Sequence, residues 1–317
     1  MSPVTSAMDV VDFHNHFVGP AFALGTLEGV PDGQRDFWEC VNRSLAAPDL
    51  LLGSLEPAGV RARVLSTPLE FLKEARGGAG SRLVERINDA MGELVARHPG
   101  RLHGLATVDA YGGAPAAQEL RRAVRLGLRG VFMESAKGPL LPDAPEALPT
   151  LATAAELGVP VFLHPVADPD LDARFRKFGR MGLRLTRSTI NAAALYALLE
   201  AGLFERFSGL RVVVTALALG GVLLAAGSPD GARLRRDTPP AKRRHVYIDT
   251  TGMDPVGLRA AIDVVGADHV VTGTDWPVVR EEGVPARLRA MLQGMGLDQA
   301  ACEAIAGGNA LRLLGVS

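Results

Sequence analysis

The feature that most constrains this chain is a regular alternation of short β-rich runs with longer helical stretches. Apolar runs rich in valine and leucine predict eight strands, at Val10–His14, Val60–Ser66, His103–Val108, Leu128–Met133, Val159–His164, Leu210–Ala216, Val246–Thr250 and Val270–Asp275. Helical periodicity occupies the intervals and the C-terminal part, at Ser81–Arg97, Ala114–Leu126, Pro145–Leu157, Thr189–Phe207, Val222–Arg236, Pro255–Val265 and a pair within Val284–Leu314. Such alternation favours a parallel sheet with crossover helices.

Eight βα units favour closure of the sheet into a (β/α)8 TIM barrel of the α/β class. The 317 residues suffice for one such domain, since a barrel of this kind needs about 250 residues. We therefore expect a single domain over 1–317. The segment 17–57 is too long for a simple βα connection, and we predict that this insertion after the first strand forms a lid over the mouth. An open doubly wound sheet is the alternative architecture, because periodicity alone does not establish closure.

Composition excludes several classes of partner. The chain is 47% apolar and 22% charged with a formal net charge of −1, so it presents no electrostatic footprint for nucleic acid or an anionic membrane. Its two cysteines, Cys40 and Cys302, do not form a CxxC motif, which fits a reducing compartment. We find neither a secretory leader pattern nor a long uncharged apolar stretch. We expect a cytoplasmic protein that binds neither nucleic acid nor membrane.

Histidines stand at the ends of two predicted strands. His14 and His16 close the first strand, and side chains two residues apart on a strand share a face. His164 ends the apolar run Val159–His164. Because active sites of this barrel lie at the carboxyl ends of the strands, all three imidazoles are expected at the mouth. Imidazole is a frequent ligand of zinc and similar cations.

A carboxylate completes this set. Asp275 ends the eighth strand, which lies beside the first once the barrel closes. A buried aspartate without a partner is costly, and coordination of a cation offsets that cost. We predict that His14, His16, His164 and Asp275 hold one divalent metal ion. Zn²⁺ is the first expectation and Mn²⁺ the second, since both accept imidazole and carboxylate.

Two further residues at the predicted mouth are candidates for substrate binding. Glu134 lies just past the fourth strand, where it is expected to contact substrate or to add a metal ligand. A solvated loop carboxylate is the alternative interpretation of Glu134. Trp276 follows Asp275 and is a candidate wall of the pocket, with packing against the barrel rim as the alternative.

The order and spacing of five motifs resemble those of a known family. The motifs are Asp12–His16, the stretch Asn88–Arg101 before the third strand, Val161–Pro165, Gly273–Pro277 and Gly308–Leu314. They make the chain similar to the amidohydrolase superfamily, specifically the "amidohydrolase 2" branch that includes aminocarboxymuconate-semialdehyde decarboxylase. The resemblance implies an enzyme with a small-molecule substrate, a metal ion held by the matching histidines and aspartate, and a homodimer.

One position departs from the family pattern. Family members often carry a histidine after the sixth strand, typically followed by Gly-Gly. Here Thr215-Ala216-Leu217-Ala218-Leu219 precedes Gly220-Gly221. Either Asp275 works alone as the base, or the chemistry differs from that of the decarboxylases that use the histidine. Loss of activity is a third interpretation.

Three functions remain open. The first is hydrolysis of an amide, ester or lactone, in which the cation lowers the pKa of a bound water and Asp275 accepts its proton. The second is non-oxidative decarboxylation of a small unsaturated or aromatic acid, with Lys137, Arg184 or Arg187 as the positive group that binds the carboxylate. The third is a metal-free barrel without catalytic activity, and stoichiometric metal analysis separates it from the other two.

Overall fold

The computed structural model describes residues 8–25, 32–77, 80–239 and 245–316. The barrel strands are β1 (Val10–His16), β2 (Val60–Ser66), β3 (Leu102–Gly104, continued by Ala106–Thr107), β4 (Val131–Glu134), β5 (Val161–His164), β6 (Val212–Val214), β7 (Val246–Asp249) and β8 (Val270–Val271). Each strand pairs in parallel with the next one along the chain.

Backbone hydrogen bonds close these strands into a barrel. At the interruption of β3, Leu105 N donates to Leu65 O at 2.9 Å, so the ladder from β2 continues into the rest of the sheet. At the other edge Phe13 N donates to Thr272 O and His16 N to Trp276 O, both at 2.7 Å. The first and last strands are therefore joined. The predicted eight-stranded barrel is confirmed, and the open doubly wound sheet is excluded.

Helices surround the strands. They are α1 (Asp32–Ala46), α2 (Pro48–Gly53), α3 (Leu55–Ala58), α4 (Ser81–Arg97), α5 (Ala114–Arg125), α6 (Leu148–Leu157), α7 (Pro169–Phe175), α8 (Arg180–Glu200), α9 (Leu203–Arg206), α10 (Leu219–Ala226), α11 (Pro255–Val265), α12 (Val284–Leu292), α13 (Gln299–Glu303) and α14 (Asn309–Leu314). Within the described residues no helix is both long and apolar enough to span a membrane.

Local sequence explains several of these bounds. Asp254 caps α11 by accepting a hydrogen bond from Gly257 N at 2.7 Å, and Pro255 fits the first helical turn, where no N–H is needed. The predicted helix Thr189–Phe207 instead begins at Arg180 and breaks before α9, where Gly202 has a φ of +61°. The predicted helix Val222–Arg236 is wrong in extent. It divides into α10 and a 3-10 turn at Asp230–Leu234.

The barrel interior and its outer layer form two separate apolar cores. The interior cluster consists of Val11, Phe13, Ala62, Val64, Leu105, Phe132, Phe162, Val213, Tyr247 and Val271 from the strands, with Ala310, Leu313 and Leu314 from α14. A larger cluster fills the space between strands and helices. Strands covered on both faces explain why the sequence shows continuous apolar runs. Full burial of each large apolar side chain contributes about 1.5–3 kcal/mol.

The insertion after β1 contributes to a third, smaller apolar cluster. In the described part of 17–57, Val18, Phe22, Val41 and Leu45 pack with Leu72 after β2 and with Leu83 and Ile87 of α4. The described part of this segment is thus fixed against the loop that follows β2 and against α4. Its action as a lid stays a prediction.

Candidate metal centre

Three histidines meet at the mouth of the barrel. One ring nitrogen from each of His14, His16 and His164 lies within 4.8 Å of the others, and all three side chains are buried. We call these residues the histidine cluster. Asp275 lies against it, with Oδ1 at 3.7 Å from His14 Nε2 and 3.3 Å from His16 Nε2. The four side chains predicted as metal ligands are therefore neighbours in space.

An irregularity in β1 helps to build the cluster. Asp12 pairs with Arg63 and Asn15 with Leu65, so three steps along β1 match two along β2. This is the geometry of a β-bulge, which interrupts the alternation of side chains across the sheet. As a result Phe13 and His14 both reach the ring of Phe162, at centroid distances of 5.7 and 4.9 Å. Consecutive residues of a regular strand would point to opposite faces.

A buried carboxylate orients His14. Asp249, at the end of β7, has Oδ2 at 2.6 Å from His14 Nδ1, while its Oδ1 accepts hydrogen bonds from Ala216 N and Thr251 N. An ionised carboxylate only accepts, so Nδ1 carries the proton and Nε2 faces Asp275. Burial acts to lower the pKa of His14, but Asp249 and the other nearby carboxylates raise it above its ordinary value.

A hydroxyl orients His16 in the same way. Ser66 Oγ donates its hydrogen to Asn15 O at 3.0 Å, so it accepts from His16 Nδ1 at 2.9 Å. The proton therefore lies on Nδ1, and Nε2 is left unprotonated toward Asp275. Burial lowers the pKa of His16 and holds that of His164 well below its usual value. Neutral imidazoles are the form that coordinates a metal.

The residues present fit a divalent cation. Among the described residues, His14 Nε2 and His164 Nδ1 are buried without a hydrogen-bond partner. Buried polar atoms normally have a partner, so orphan nitrogens inside a cluster of imidazoles suit a bound ion. The arrangement is compatible with one ion coordinated by the histidine cluster.

The backbone at Asp275 is unusual. Its φ is +65°, and it is the one non-glycine residue with a positive φ in the described part of the chain. Asp275 N donates to His14 O at 2.7 Å, which ties this residue to β1. Burial acts to raise the pKa of Asp275, but the adjacent imidazoles of His16 and His14 and the charge of Arg187 lower it. The carboxylate is therefore ionised at neutral pH.

Charged side chains surround the cluster at the mouth. Arg187 on α8 has Nη2 at 3.5 Å from Oε1 of Glu70, which lies in the 3-10 turn Leu69–Phe71. Glu134 pairs in register with His164 across β4 and β5. Burial raises the pKa of Glu134 to about 7, and the charges of Glu70 and Asp109 act in the same direction. We call Glu70, Glu134 and Arg187 the charged rim.

The three candidate positive groups occupy different environments. Lys137 Nζ lies 2.6 Å from Asp109 Oδ2 and is engaged there. Arg184 is exposed. The charge of Arg187 lowers the pKa of both His16 and His164, and its Nε is buried without a hydrogen-bond partner among the described residues. Arg187 is therefore the cation of the three that acts on the cluster.

The position of Trp276 favours packing over substrate contact. Its side chain is only 4% exposed, and the guanidinium of Arg63 lies 4.7 Å from its ring centroid. The structure therefore gives no support to Trp276 as a wall of the pocket.

Sequence reasoning missed Asp249 and Ser66. A signal existed for Asp249, because it ends an apolar strand just as His164 does; the eighth strand is shorter than predicted and ends at Val271, before Asp275. Ser66 carried no signal of its own, since a serine at a strand end is common. After β6, where the family often has a histidine, the 3-10 turn Ala216–Ala218 contributes a backbone N–H to Asp249.

Comparison with known proteins identifies the family. The family model described as amidohydrolase matches residues 11–316. This chain belongs to the amidohydrolase family. The 2-amino-3-carboxymuconate-6-semialdehyde decarboxylase of Dictyostelium discoideum is 26% identical over 88% of this chain and 80% of its own length. The gamma-resorcylate decarboxylase of Polaromonas sp. is 27% identical over 84% of this chain and 87% of its own.

Solved structures of similar proteins show the same fold. A dihydroxybenzoic acid decarboxylase from Polaromonas sp., with bound manganese and the inhibitor 2-nitroresorcinol, has a TM-score of 0.74, 24% identity and 97% coverage of each chain. A 2,6-dihydroxybenzoate decarboxylase with bound 2,6-dihydroxybenzoate has a TM-score of 0.75 and 23% identity, covering 98% of this chain and 100% of its own. These relatives are decarboxylases, so the comparisons support the decarboxylase alternative and not hydrolysis, which was the first expectation.

Proposed function

We propose that this amidohydrolase family member is a metal-dependent decarboxylase that releases carbon dioxide from a small unsaturated or aromatic carboxylic acid. The observation that carries the proposal is the placement of Arg187 beside the histidine cluster. A substrate that enters as a carboxylate needs a positive group at the mouth, whereas hydrolysis of a neutral amide, ester or lactone does not. The two decarboxylases that match over more than four-fifths of this chain support the same reaction.

His14, His16, His164 and Asp275 would hold the ion. A divalent cation in this site supplies fixed positive charge against which negative charge developing on the substrate is stabilised. The bound manganese of the Polaromonas structure supports Mn²⁺, and Zn²⁺ accepts the same donors. Asp249 and Ser66 act on this site by keeping the Nε2 atoms of His14 and His16 free of protons.

Substrate binding and proton transfer are assigned to two residues of the chain. Arg187 binds the substrate carboxylate as an ion pair, since its Nη2 contact with Glu70 is longer than an ordinary hydrogen bond and its Nε has no partner among the described residues. Loss of carbon dioxide breaks a carbon–carbon bond and leaves the electron pair on the substrate carbon. Asp275 takes up a proton from substrate or solvent and delivers it to that carbon, forming the new C–H bond.

This assignment requires no histidine after β6. The corresponding turn, Ala216–Ala218, instead fixes Asp249, so in this chain that position serves the orientation of His14. Glu134 lies one strand away from His164 and is proposed to contact the substrate.

A direct assay tests the proposal. Purified protein loaded with Mn²⁺ or Zn²⁺ is incubated with a panel of hydroxybenzoic and unsaturated carboxylic acids, and separately with esters, lactones and amides. We expect metal-dependent release of carbon dioxide from at least one acid. Cleavage of an ester, lactone or amide without carbon dioxide release would show that the chain is a hydrolase. Absence of both activities in protein that binds no metal would favour the metal-free barrel.

A further inference from the structure

A buried carboxylate on β1 holds the segment that carries Asp275. Asp12 is fully buried. Its Oδ1 accepts a hydrogen bond from Thr274 N at 3.0 Å and its Oδ2 accepts one from Thr274 Oγ1 at 2.7 Å. Thr274 Oγ1 in turn accepts from Trp276 N at 3.2 Å. The residues on both sides of Asp275 are thus fixed, directly or through one hydroxyl, by a side chain from another strand.

A buried arginine stands beside this carboxylate. Arg63 on β2 is 1% exposed, with Nε at 3.7 Å from Asp12 Oδ2 and its guanidinium over the ring of Trp276. Burial of an arginine is costly unless a charge and an aromatic face compensate it. Asp12 and Trp276 supply both, so these residues depend on each other for burial.

The backbone conformation of Asp275 explains why these hydrogen bonds matter. A positive φ is unfavourable for a residue with a side chain and persists only where the surroundings fix it. At Asp275 it directs the carboxylate toward His14 and His16, at 3.7 and 3.3 Å. Without the bonds from Asp12, the segment after β8 would keep its backbone bonds to β1 but would lose the side-chain contacts that help to fix the positive φ of Asp275. The carboxylate of Asp275 would then be held less firmly at the cluster.

We propose that Asp12, with Arg63 beside it, is a positioning residue that acts through Thr274 to hold the Asp275 carboxylate at the histidine cluster. The inference rests on the proposed metal centre and assigns a task to residues outside it. Neither Asp12 nor Arg63 belongs to the interior cluster, which contains their neighbours Val11, Phe13, Ala62 and Val64, and both oxygens of Asp12 are bonded to Thr274 and not to the histidines. Their effect on the metal is therefore indirect.

A merely structural role, in closing β1 onto β8, is the competing explanation. The chain offers a matched control in the same segment after β8. Thr272 is as buried as Thr274, but its hydroxyl donates to Ile305 O at 2.9 Å, away from Asp275. Loss of this hydroxyl removes a buried hydrogen bond just after β8 and leaves the bonds around Asp275 in place.

The test compares Thr274→Val, Thr274→Ser and Thr272→Val in the metal-stripped full-length protein. Mn²⁺ affinity is measured by titration calorimetry, and folding by circular dichroism and thermal unfolding. We expect Thr274→Val to weaken Mn²⁺ binding about 10–100-fold, Thr274→Ser to stay within about threefold of wild type, and Thr272→Val to keep wild-type affinity despite a lower melting temperature. Asp12→Asn should weaken Mn²⁺ binding as Thr274→Val does.

Two results would overturn the inference. One is wild-type Mn²⁺ affinity in folded Thr274→Val, and the other is an equal loss of affinity in Thr272→Val, which would show a general effect of β8 stability. Failure of the metal centre itself would look different. Wild-type protein that binds neither Mn²⁺ nor Zn²⁺ would refute the proposed site and, with it, the positioning role.

Discussion

The histidine cluster and the charged rim are built in opposite ways. In the cluster, Asp249 and Ser66 fix the ring nitrogens of His14 and His16 through short bonds between buried atoms. At the rim, Arg187 and Glu70 are each 30% exposed and lie 3.5 Å apart. The cluster is therefore a rigid arrangement compatible with one small ion, whereas the rim is a looser set of charges that we propose exchanges partners with a substrate. Substitutions in the cluster should therefore change metal affinity, and substitutions at the rim should change substrate binding.

The largest effect is expected from Asp275→Asn. The amide removes the proton carrier and weakens one metal ligand, so turnover should fall by at least about a thousandfold, while the barrel stays folded. Carbon dioxide release measures activity and circular dichroism measures folding. An Asp275→Asn variant with undiminished turnover would exclude this residue as the catalytic group.

The next largest effect, a loss of metal affinity, is expected from Asp249→Asn. Ala216 N and Thr251 N retain Oδ1 as their acceptor, which leaves the amide NH₂ facing His14 Nδ1. His14 would then carry its proton on Nε2, where the metal should bind, and Mn²⁺ affinity should fall about 10–100-fold.

The control for this change is Asp254→Asn, which alters the N-cap of α11. It should leave Mn²⁺ affinity unchanged. Equal metal affinity in Asp249→Asn and wild type would show that Asp249 does not set the tautomer of His14.

At the rim, Arg187→Met should raise the KM for a carboxylate substrate about 10–100-fold and change kcat less, because the ion pair holds the substrate before the reaction. Arg184→Met is the matched control, since Arg184 is exposed on the same helix. Calorimetric binding of benzoate to both variants provides a second measurement. An unchanged KM and unchanged benzoate binding in Arg187→Met would assign the carboxylate to another group.

The smallest effect is expected on the pH dependence of folding stability, through the carboxyl group of Glu134. Its pKa rises from 4.5 to about 7 in the folded chain, mainly through burial. Between these values the native state binds more protons than the unfolded state, so this group lowers stability as pH rises from 4.5 to 7. Glu134→Gln removes that dependence. As the pH increases from 4.5 to 8, the free energy of unfolding of the variant should rise relative to that of wild type by about 1–2 kcal/mol, after allowance for solvent screening.

Urea unfolding of the metal-stripped protein at several pH values measures this difference, and Glu200→Gln on the exposed end of α8 is the control. Parallel stability curves for wild type and Glu134→Gln would show that the pKa of Glu134 is not raised in the folded protein.

Much of this molecule follows from local patterns in the sequence. The alternation of apolar runs and helical stretches predicts the barrel because strands covered on both faces need continuous apolar residues. The cluster could be predicted because His16 and His164 end strands whose carboxyl ends meet in this fold.

What the sequence did not predict depends on contacts between distant segments. The bulge in β1 exists only through its register with β2. Glu70 and Arg187 meet from a turn after β2 and a helix after β5, so their contact depends on tertiary packing. Asp249 carried the same strand-end signal as Asp275, but its role became visible only from its distance to His14.

The central claim is that four side chains hold one divalent cation, and anomalous scattering from crystals of the Mn²⁺-loaded protein tests it most directly. The account predicts one manganese peak per chain, coordinated by His14 Nε2, His16 Nε2, a ring nitrogen of His164 and a carboxylate oxygen of Asp275, at about 2.0–2.3 Å. A manganese peak elsewhere, or none in protein soaked with excess Mn²⁺, would contradict it.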